Sequence, residues 1–355
     1  MSLTVGMIGL AHPHSAMHLR TLEASDEVLE IIVCDPDPVA RQRATEACRK
    51  AGPAFAEVDA VLDRRDVPVI FVALPNAETA AVVERSARAG KHVICEKPCA
   101  RSLPEFQPAL GAIRERGTLF TACYVWRVNP AILQMKALVD AGALGRLTSV
   151  ELRMVTTQVK LRDPAHWLFK RDAAGGGIVS WLGCHWLDLL RFLTGQEVCR
   201  VSALIDTVSG EAIDVEDVAS VSMKLSGGAI ASLYAGYLLA VGRPGYEGGG
   251  YDQSIILRGT EGALAHQRVG DEQVVTLESD GAGWRAAPRQ VFRFTLGASP
   301  AYGGVHGLRF VDDFIRAAAG AAGAIHATAN DAARVLEVLD AIYLSAERGR
   351  VVDLG

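Results

Sequence analysis

The sequence lacks long apolar runs: nothing in its 355 residues approaches the roughly 20 consecutive apolar positions that a membrane-spanning helix needs. It also lacks a basic excess. Lys and Arg number 36 against 41 Asp and Glu, a net charge of −5, so the electrostatic footprint of a nucleic-acid binder is missing. The seven cysteines (34, 48, 95, 99, 123, 184 and 199) are scattered, odd in number and without a C-x-x-C pair. That pattern argues against a disulfide or zinc framework and predicts reduced thiols in a cytoplasmic protein with no metal centre. The first eleven residues carry no basic segment and read as a first strand, not a signal peptide. There is no internal repeat and no low-complexity tail.

Half of the residues are hydrophobic and 22% are charged, the composition of a well-packed globule. The chain is longer than one core usually supports, which predicts two domains, 1–124 and 125–355. In the first, β-branched runs alternate with helical patterns. Leu3–Gly9, Val28–Cys34, Val67–Leu74, Lys91–Cys95 and Thr118–Cys123 read as strands. Helices are expected between them, two of them closed by Gly90 and Gly117. Such alternation predicts βαβ crossovers and a doubly wound, parallel Rossmann sheet.

A dinucleotide fingerprint would lie at the turn from the first strand into the first helix. The turn here reads Gly9-Leu10-Ala11-His12-Pro13-His14. Gly9 supplies the tight turn, and Ala11 is small enough for close approach of a pyrophosphate. His14 takes the third glycine position at a helix N-terminus, where N–H groups favour an anion. Asp35 ends the second strand, at the spacing of an acid that binds the adenine ribose hydroxyls. A carboxylate there repels a 2′-phosphate and favours NAD over NADP. The bland alternatives are an ordinary strand-to-helix turn and, for Asp35, a helix N-cap before Pro36.

The second half changes character. A helix over Ala131–Ala141 and a strand over Leu147–Thr156 lead to Gly175-Gly176-Gly177 and a long apolar helix ending at Leu193. Extended segments follow at 198–208, 217–225, 229–238, 253–258 and 273–277, without helices between them. This predicts an α+β domain with a large, mostly antiparallel open sheet. Glycine-rich loops at Gly242–Gly250 and Asp280–Arg289 are expected to be mobile. Helices over Gly307–Ala319 and Asn330–Arg348 and a short strand, Val351–Leu354, finish the chain.

Several of these residues carry a family resemblance. Gly90-Lys-His-Val-Ile-Cys-Glu96-Lys97-Pro98 resembles the E-K-P segment of the Gfo/Idh/MocA (glucose–fructose oxidoreductase-like) dehydrogenases. Leu74-Pro75-Asn76 resembles that family's turn after strand four, although the histidine that often follows is Thr79 here. Asn129-Pro130 with Gly142-Ala-Leu-Gly145 is similar to the start of its second domain. The triple glycine followed by His185-x-x-Asp188 resembles its catalytic helix. The likeness runs nearly end to end. It implies that Leu74, Pro75, Asn76, Glu96 and Lys97 border the dinucleotide, that Glu96 and Lys97 flank the nicotinamide, and that a cis Lys97–Pro98 bond shapes the turn. It also implies a homodimer or homotetramer through the C-terminal sheet. Alternation in Ala229–Tyr237 is compatible with a pairing face and equally with a core-facing strand.

The chemistry of the residues agrees. Hydride transfer from an alcohol requires removal of the hydroxyl proton, and a desolvated lysine can stabilise the oxygen and exchange that proton. Lys97 is therefore the first candidate and His185 the second, as general acid/base. His185 and Asp188 share a helix face, with Trp181 one turn earlier, so the helix can pack by one edge and show these three to a cleft. Trp181 stands where the family commonly has aspartate, which removes a group that would orient the imidazole and adds an aromatic wall suited to a sugar ring face. Arg127, His166, Trp167 and Arg171 are further candidates for substrate contact; the alternative is a loop charge or a salt bridge. The expected activity is NAD-dependent oxidation or reduction of a sugar, sugar acid or inositol-like polyol. The alternatives are a redox-neutral, NAD-using glycoside-cleaving enzyme and a non-catalytic dinucleotide sensor.

Overall fold

The computed structural model describes residues 2–240, 250–269 and 272–355. Most of the expected Gly242–Gly250 loop lies outside them. The chain forms two compact units.

The first unit comprises 1–128 with 172–175 and 297–336. Six strands run β1 (Leu3–Ile8), β2 (Val28–Cys34), β3 (Ala51–Phe55), β4 (Val69–Val72), β5 (His92–Cys95) and β6 (Phe120–Ala122). Their spatial order is β3-β2-β1-β4-β5-β6, all parallel, a doubly wound Rossmann sheet. The helices between them are α1 (Ser15–Ala24), α2 (Pro38–Ala47), α3 (Val58–Leu62), α4 (Asn76–Arg88) and α5 (Leu103–Arg116). Central strands are covered on both faces, which is why they read as unbroken apolar runs: Val5, Met7, Ile31–Val33, Val69–Ala73 and Val93–Cys95 are fully buried. Strand β3 is not among the expected strands, because Ala-Gly-Pro-Ala-Phe carries two strand breakers. It is an edge strand, where proline is tolerated.

The second unit comprises 129–171, 176–296 and 337–355. It opens with α6 (Pro130–Asp140), started by Asn129, whose side chain accepts the Ala131 N–H. After β7 (Leu147–Thr157) come the short α7 (Arg171–Ala174), whose last three residues belong to the first unit, and then α8 (Cys184–Thr194). The sheet is completed by β8 (Val198–Asp206), β9 (Val218–Leu225), β10 (Ile230–Leu239), β11 (Tyr251–Gly259), β12 (Gly262–Val269), β13 (Glu272–Ser279), β14 (Arg289–Thr295) and β15 (Val352–Asp353). The order is β14-β13-β12-β11-β7-β10-β9-β8-β15, antiparallel throughout except for the β7–β10 pair, which is parallel. Strands β12 and β14 are additions to the expected set. The Asp280–Arg289 loop is the connection between β13 and β14, closed by Ser279 N–H to Pro288 O at 2.8 Å and Trp284 N–H to Gly281 O at 2.8 Å. Helix α9 (Gly304–Ala318) belongs to the first unit, and α10 (Ala329–Arg348) passes from the first unit to the second at Glu337, before β15. All seven cysteines are free thiols, six of them buried. No helix among the described residues is long and apolar enough to cross a membrane.

Candidate active site

In the first unit the chain turns sharply after β1. Gly9 has φ +96°, and a Cβ there would lie 2.5 Å from Ala73 O, so only glycine lets this turn pack on the end of β4. The Leu10 N–H donates to Asp35 Oδ2 at 2.7 Å, and Oδ1 accepts the Asp37 N–H at 2.9 Å. Asp35 therefore fastens the fingerprint turn to the end of β2. It does not cap α2: that role belongs to Asp37, whose side chain accepts the Val39 N–H at 2.8 Å. Ala11 is exposed, whereas His12 and His14 are buried.

The helix-start histidine, His14, and His18 one turn on both face Glu96. His14 Nδ1 lies 2.8 Å and His18 Nε2 2.6 Å from the same oxygen, Glu96 Oε1, while Oε2 accepts the Lys97 N–H at 2.9 Å. Burial alone would raise the Glu96 carboxyl; the facing imidazoles and their hydrogen bonds outweigh this and hold it well below the usual carboxylate range. Burial lowers His14 to about 4 and lowers His12 well below its ordinary value. An ionised carboxylate only accepts, so both contacting ring nitrogens carry hydrogen. His12 Nδ1 accepts the His14 backbone N–H at 3.2 Å, which puts its hydrogen on Nε2. Donor atoms of His12, His14 and Glu96 lie within 4.8 Å of one another, the spacing of a metal set. The Glu96 oxygens, however, already receive three N–H groups.

Tyr302 covers this network, its ring centroid 4.4 Å from His14 and 4.7 Å from His18. Lys97 is 1% exposed, at the carboxyl end of β5, and its bond to Pro98 is cis. Leu74 and Pro75 lead into α4, and Asn76 opens it; the Asn76 amide donates to Ala174 O at 2.8 Å. Arg127 is buried, donating to His326 O at 2.9 Å and pairing with Asp331 at 3.1 Å. The alternative role of a salt bridge is thus filled for Arg127.

In the second unit the helix after the triple glycine begins with a π turn, Val179–Gly183, which contains Trp181, and continues as α8 with His185 and Asp188. Every residue from 176 to 190 is buried. The expected amphipathic helix with one open edge is thus a helix covered all round, as its nearly continuous apolar sequence dictates. A π turn holds one extra residue, so Trp181 is offset from the plain i, i+4 stripe toward His185. His166 and Trp167 are half-buried with ring centroids 5.5 Å apart, and His166 Nδ1 accepts the Leu168 N–H at 3.2 Å. Arg171 is exposed and bound to Asp214, through its N–H at 2.6 Å and its Nε at 3.2 Å.

Sequence reasoning passes over His18 and Tyr302. The His14-x3-His18 spacing, which puts both on one helical face, is a signal that could have found His18. Nothing local marks Tyr302, which acts across a long stretch of chain.

The residues present fit a dinucleotide. Gly9 gives the close backbone approach, and each Asp35 oxygen keeps a second lone pair able to accept a ribose hydroxyl. Comparison with known proteins agrees. Residues 3–124 match the family described as the oxidoreductase family, NAD-binding Rossmann fold, and residues 132–265 match the GFO/IDH/MocA C-terminal domain. The chain is 27% identical to the levoglucosan dehydrogenase of Pseudarthrobacter phenanthrenivorans, over 98% of this chain and 96% of that one. It is also 27% identical to the inositol 2-dehydrogenase of Rhizobium meliloti, over 83% of this chain and 84% of that one. A solved levoglucosan dehydrogenase in complex with NADH and levoglucosan superposes with a TM-score of 0.84 at 25% identity, covering 100% of this chain and 99% of that one. The chain belongs to the Gfo/Idh/MocA family: it is an NAD-dependent oxidoreductase whose N-terminal domain is the NAD-binding Rossmann fold.

Proposed function

We propose that the enzyme passes a hydride between NAD and a hydroxyl-bearing carbon of a cyclic sugar, anhydrosugar or inositol-like polyol. The observation that carries this reading is Lys97, buried at the carboxyl end of β5 and joined through its own N–H to a Glu96 carboxylate fixed by His14 and His18. When bound, the nicotinamide supplies the hydride acceptor or donor. Lys97, desolvated, donates a hydrogen bond to the reacting oxygen and stabilises the alkoxide as the proton leaves. His185 is the acid/base that takes or returns that proton, with Asp188 on the same helix. Trp181 offers an aromatic face to a ring carbon surface in place of a carboxylate. The relatives' names, levoglucosan and inositol dehydrogenases, support a ring-shaped polyol. His166, Trp167 and Arg171 are proposed substrate contacts, and Arg127 is proposed to shape the site through its pair with Asp331. We assign the enzyme to the cytoplasm on its seven free thiols.

The test is a fluorescence titration with NADH and NADPH, then a spectrophotometric screen of the NAD-loaded protein against sugars, sugar acids, 1,6-anhydrosugars and inositols. NADH is expected to bind more tightly than NADPH, because Asp35 repels a 2′-phosphate. Lys97→Ala should lower turnover on the best substrate by about 10²- to 10⁴-fold while NADH binding survives. Retained turnover in that variant sinks the assignment. Product formed without net change at the nicotinamide absorbance selects the redox-neutral chemistry instead. Binding without any turnover selects the sensor.

A further inference from the structure

The triple glycine ends against a buried carboxylate. Glu216, 2% exposed, accepts three successive N–H groups at the start of the π turn and helix α8. Gly177 donates to Oε2 at 2.8 Å, Ile178 to the Glu216 backbone oxygen at 3.2 Å and Val179 to Oε1 at 3.0 Å. The Tyr343 hydroxyl, from α10, donates to Oε1 at 3.0 Å. No cation pairs with Glu216 among the described residues; burial pushes its carboxyl up, and the N–H and O–H donors around it oppose that rise. Both glycines are needed for this approach. A Cβ at Gly177 would lie 1.9 Å from Glu216 O, and one at Gly176 would lie 1.8 Å from the Tyr343 hydroxyl.

The clamp is followed at once by the π turn Val179–Gly183. That turn carries one residue more than α-helical winding would, and relaxing it to α would shift the helix beyond it by one residue, a rotation of about 100°. We infer that Glu216 and Tyr343 are positioning residues: with two N–H groups of the helix start held by the carboxylate and a third by the Glu216 carbonyl, they keep the π turn wound and so set the orientation of His185 and Asp188. The catalytic part of this inference rests on the sugar dehydrogenase reading above. The clamp itself does not.

Two measurements on the full-length protein test it. Hydrogen exchange of the peptide spanning 177–186, read without substrate, should quicken in Glu216→Gln and, less, in Tyr343→Phe. Turnover should fall about tenfold to a hundredfold in Glu216→Gln at 25 °C, well below its melting temperature, with NADH affinity unchanged. A merely structural carboxylate would lower the melting temperature and leave turnover of the folded enzyme intact. Wild-type exchange across 177–186 in a folded Glu216→Gln protein overturns the inference, as does wild-type kcat/KM. Should Glu216→Gln not fold, Tyr343→Phe decides by the same two readings. If the wild-type enzyme turns over no sugar, the substrate reading fails, and exchange alone still decides the clamp.

Discussion

Four buried groups of the first unit, His12, His14, His306 and Glu96, shape its response to acid. His14 and His306 are each lowered to about 4, chiefly by burial, against an ordinary value near 6.5. Neither ring nitrogen of His306 has a hydrogen-bond partner among the described residues, so its neutral form is the one that the fold accepts. As pH falls below about 6.5 the unfolded chain takes up protons that the folded chain refuses, and stability declines until about pH 4, where the folded imidazoles also protonate. Glu96, held below its ordinary value, extends the loss downward, because its carboxylate must be protonated on unfolding in acid. Each histidine contributes up to about 1.4 kcal/mol per pH unit within that window. Thermal melts between about pH 7 and pH 4.5 should therefore show a steadily falling melting temperature, with a shallower slope in His306→Phe. An unchanged slope in that variant would mean that the folded chain protonates His306 as readily as the unfolded chain does.

At the scale of elements, legibility in the sequence follows burial and locality. Strands β1, β2, β4 and β5 announce themselves, because both of their faces are covered over most of their length and the covered positions are mostly apolar. Strand β3 hides behind Gly52 and Pro53 at a sheet edge, and β14 behind an alternation with no fully buried position. The site is legible wherever chemistry and spacing coincide, as in Glu96-Lys97-Pro98 and His185-x-x-Asp188. The Glu216 clamp and the Tyr302 cover are not, since each joins residues far apart in the chain, and the π turn leaves no mark that composition could reveal. The triple glycine is visible in the sequence, but its cause is not. That cause makes a contrast between two glycines. Gly177→Ala drives a methyl group into the Glu216 carbonyl and should cost about 1–3 kcal/mol. Gly111 lies inside α5, and a Cβ added there would meet nothing within 4 Å. Its substitution by alanine should gain about 0.5–1 kcal/mol. Chemical denaturation of the two variants reads both signs, and a neutral Gly177→Ala would show that the carbonyl gives way freely.

For the whole molecule, the register of the nine-stranded sheet separates two faces. The row Ala203, Val221, Leu233, Leu152, Ile255 and His266 is buried. One residue along, the row Leu204, Ser220, Tyr234, Arg153, Ser254 and Gln267 points the other way. On that face Leu204 is 80% exposed, Ile230 53% and Tyr234 43%. Because side chains alternate strictly along a strand, this outer face cannot be folded inward without exposing the core row. Apolar side chains left in water on a broad sheet call for cover, and a second copy of the same face is the self-complementary solution. The enzyme is thus expected to sediment as a dimer or a larger even oligomer, each protomer burying about 800 Å² or more of this face. Tyr234→Asp puts a charge at the middle of the outer row and leaves the core row untouched. It should shift the protein toward monomer with an unchanged circular dichroism spectrum. A wild-type protein that sediments as a monomer at micromolar concentration removes the case for pairing through this sheet. An oligomer indifferent to Tyr234→Asp moves the interface to another surface.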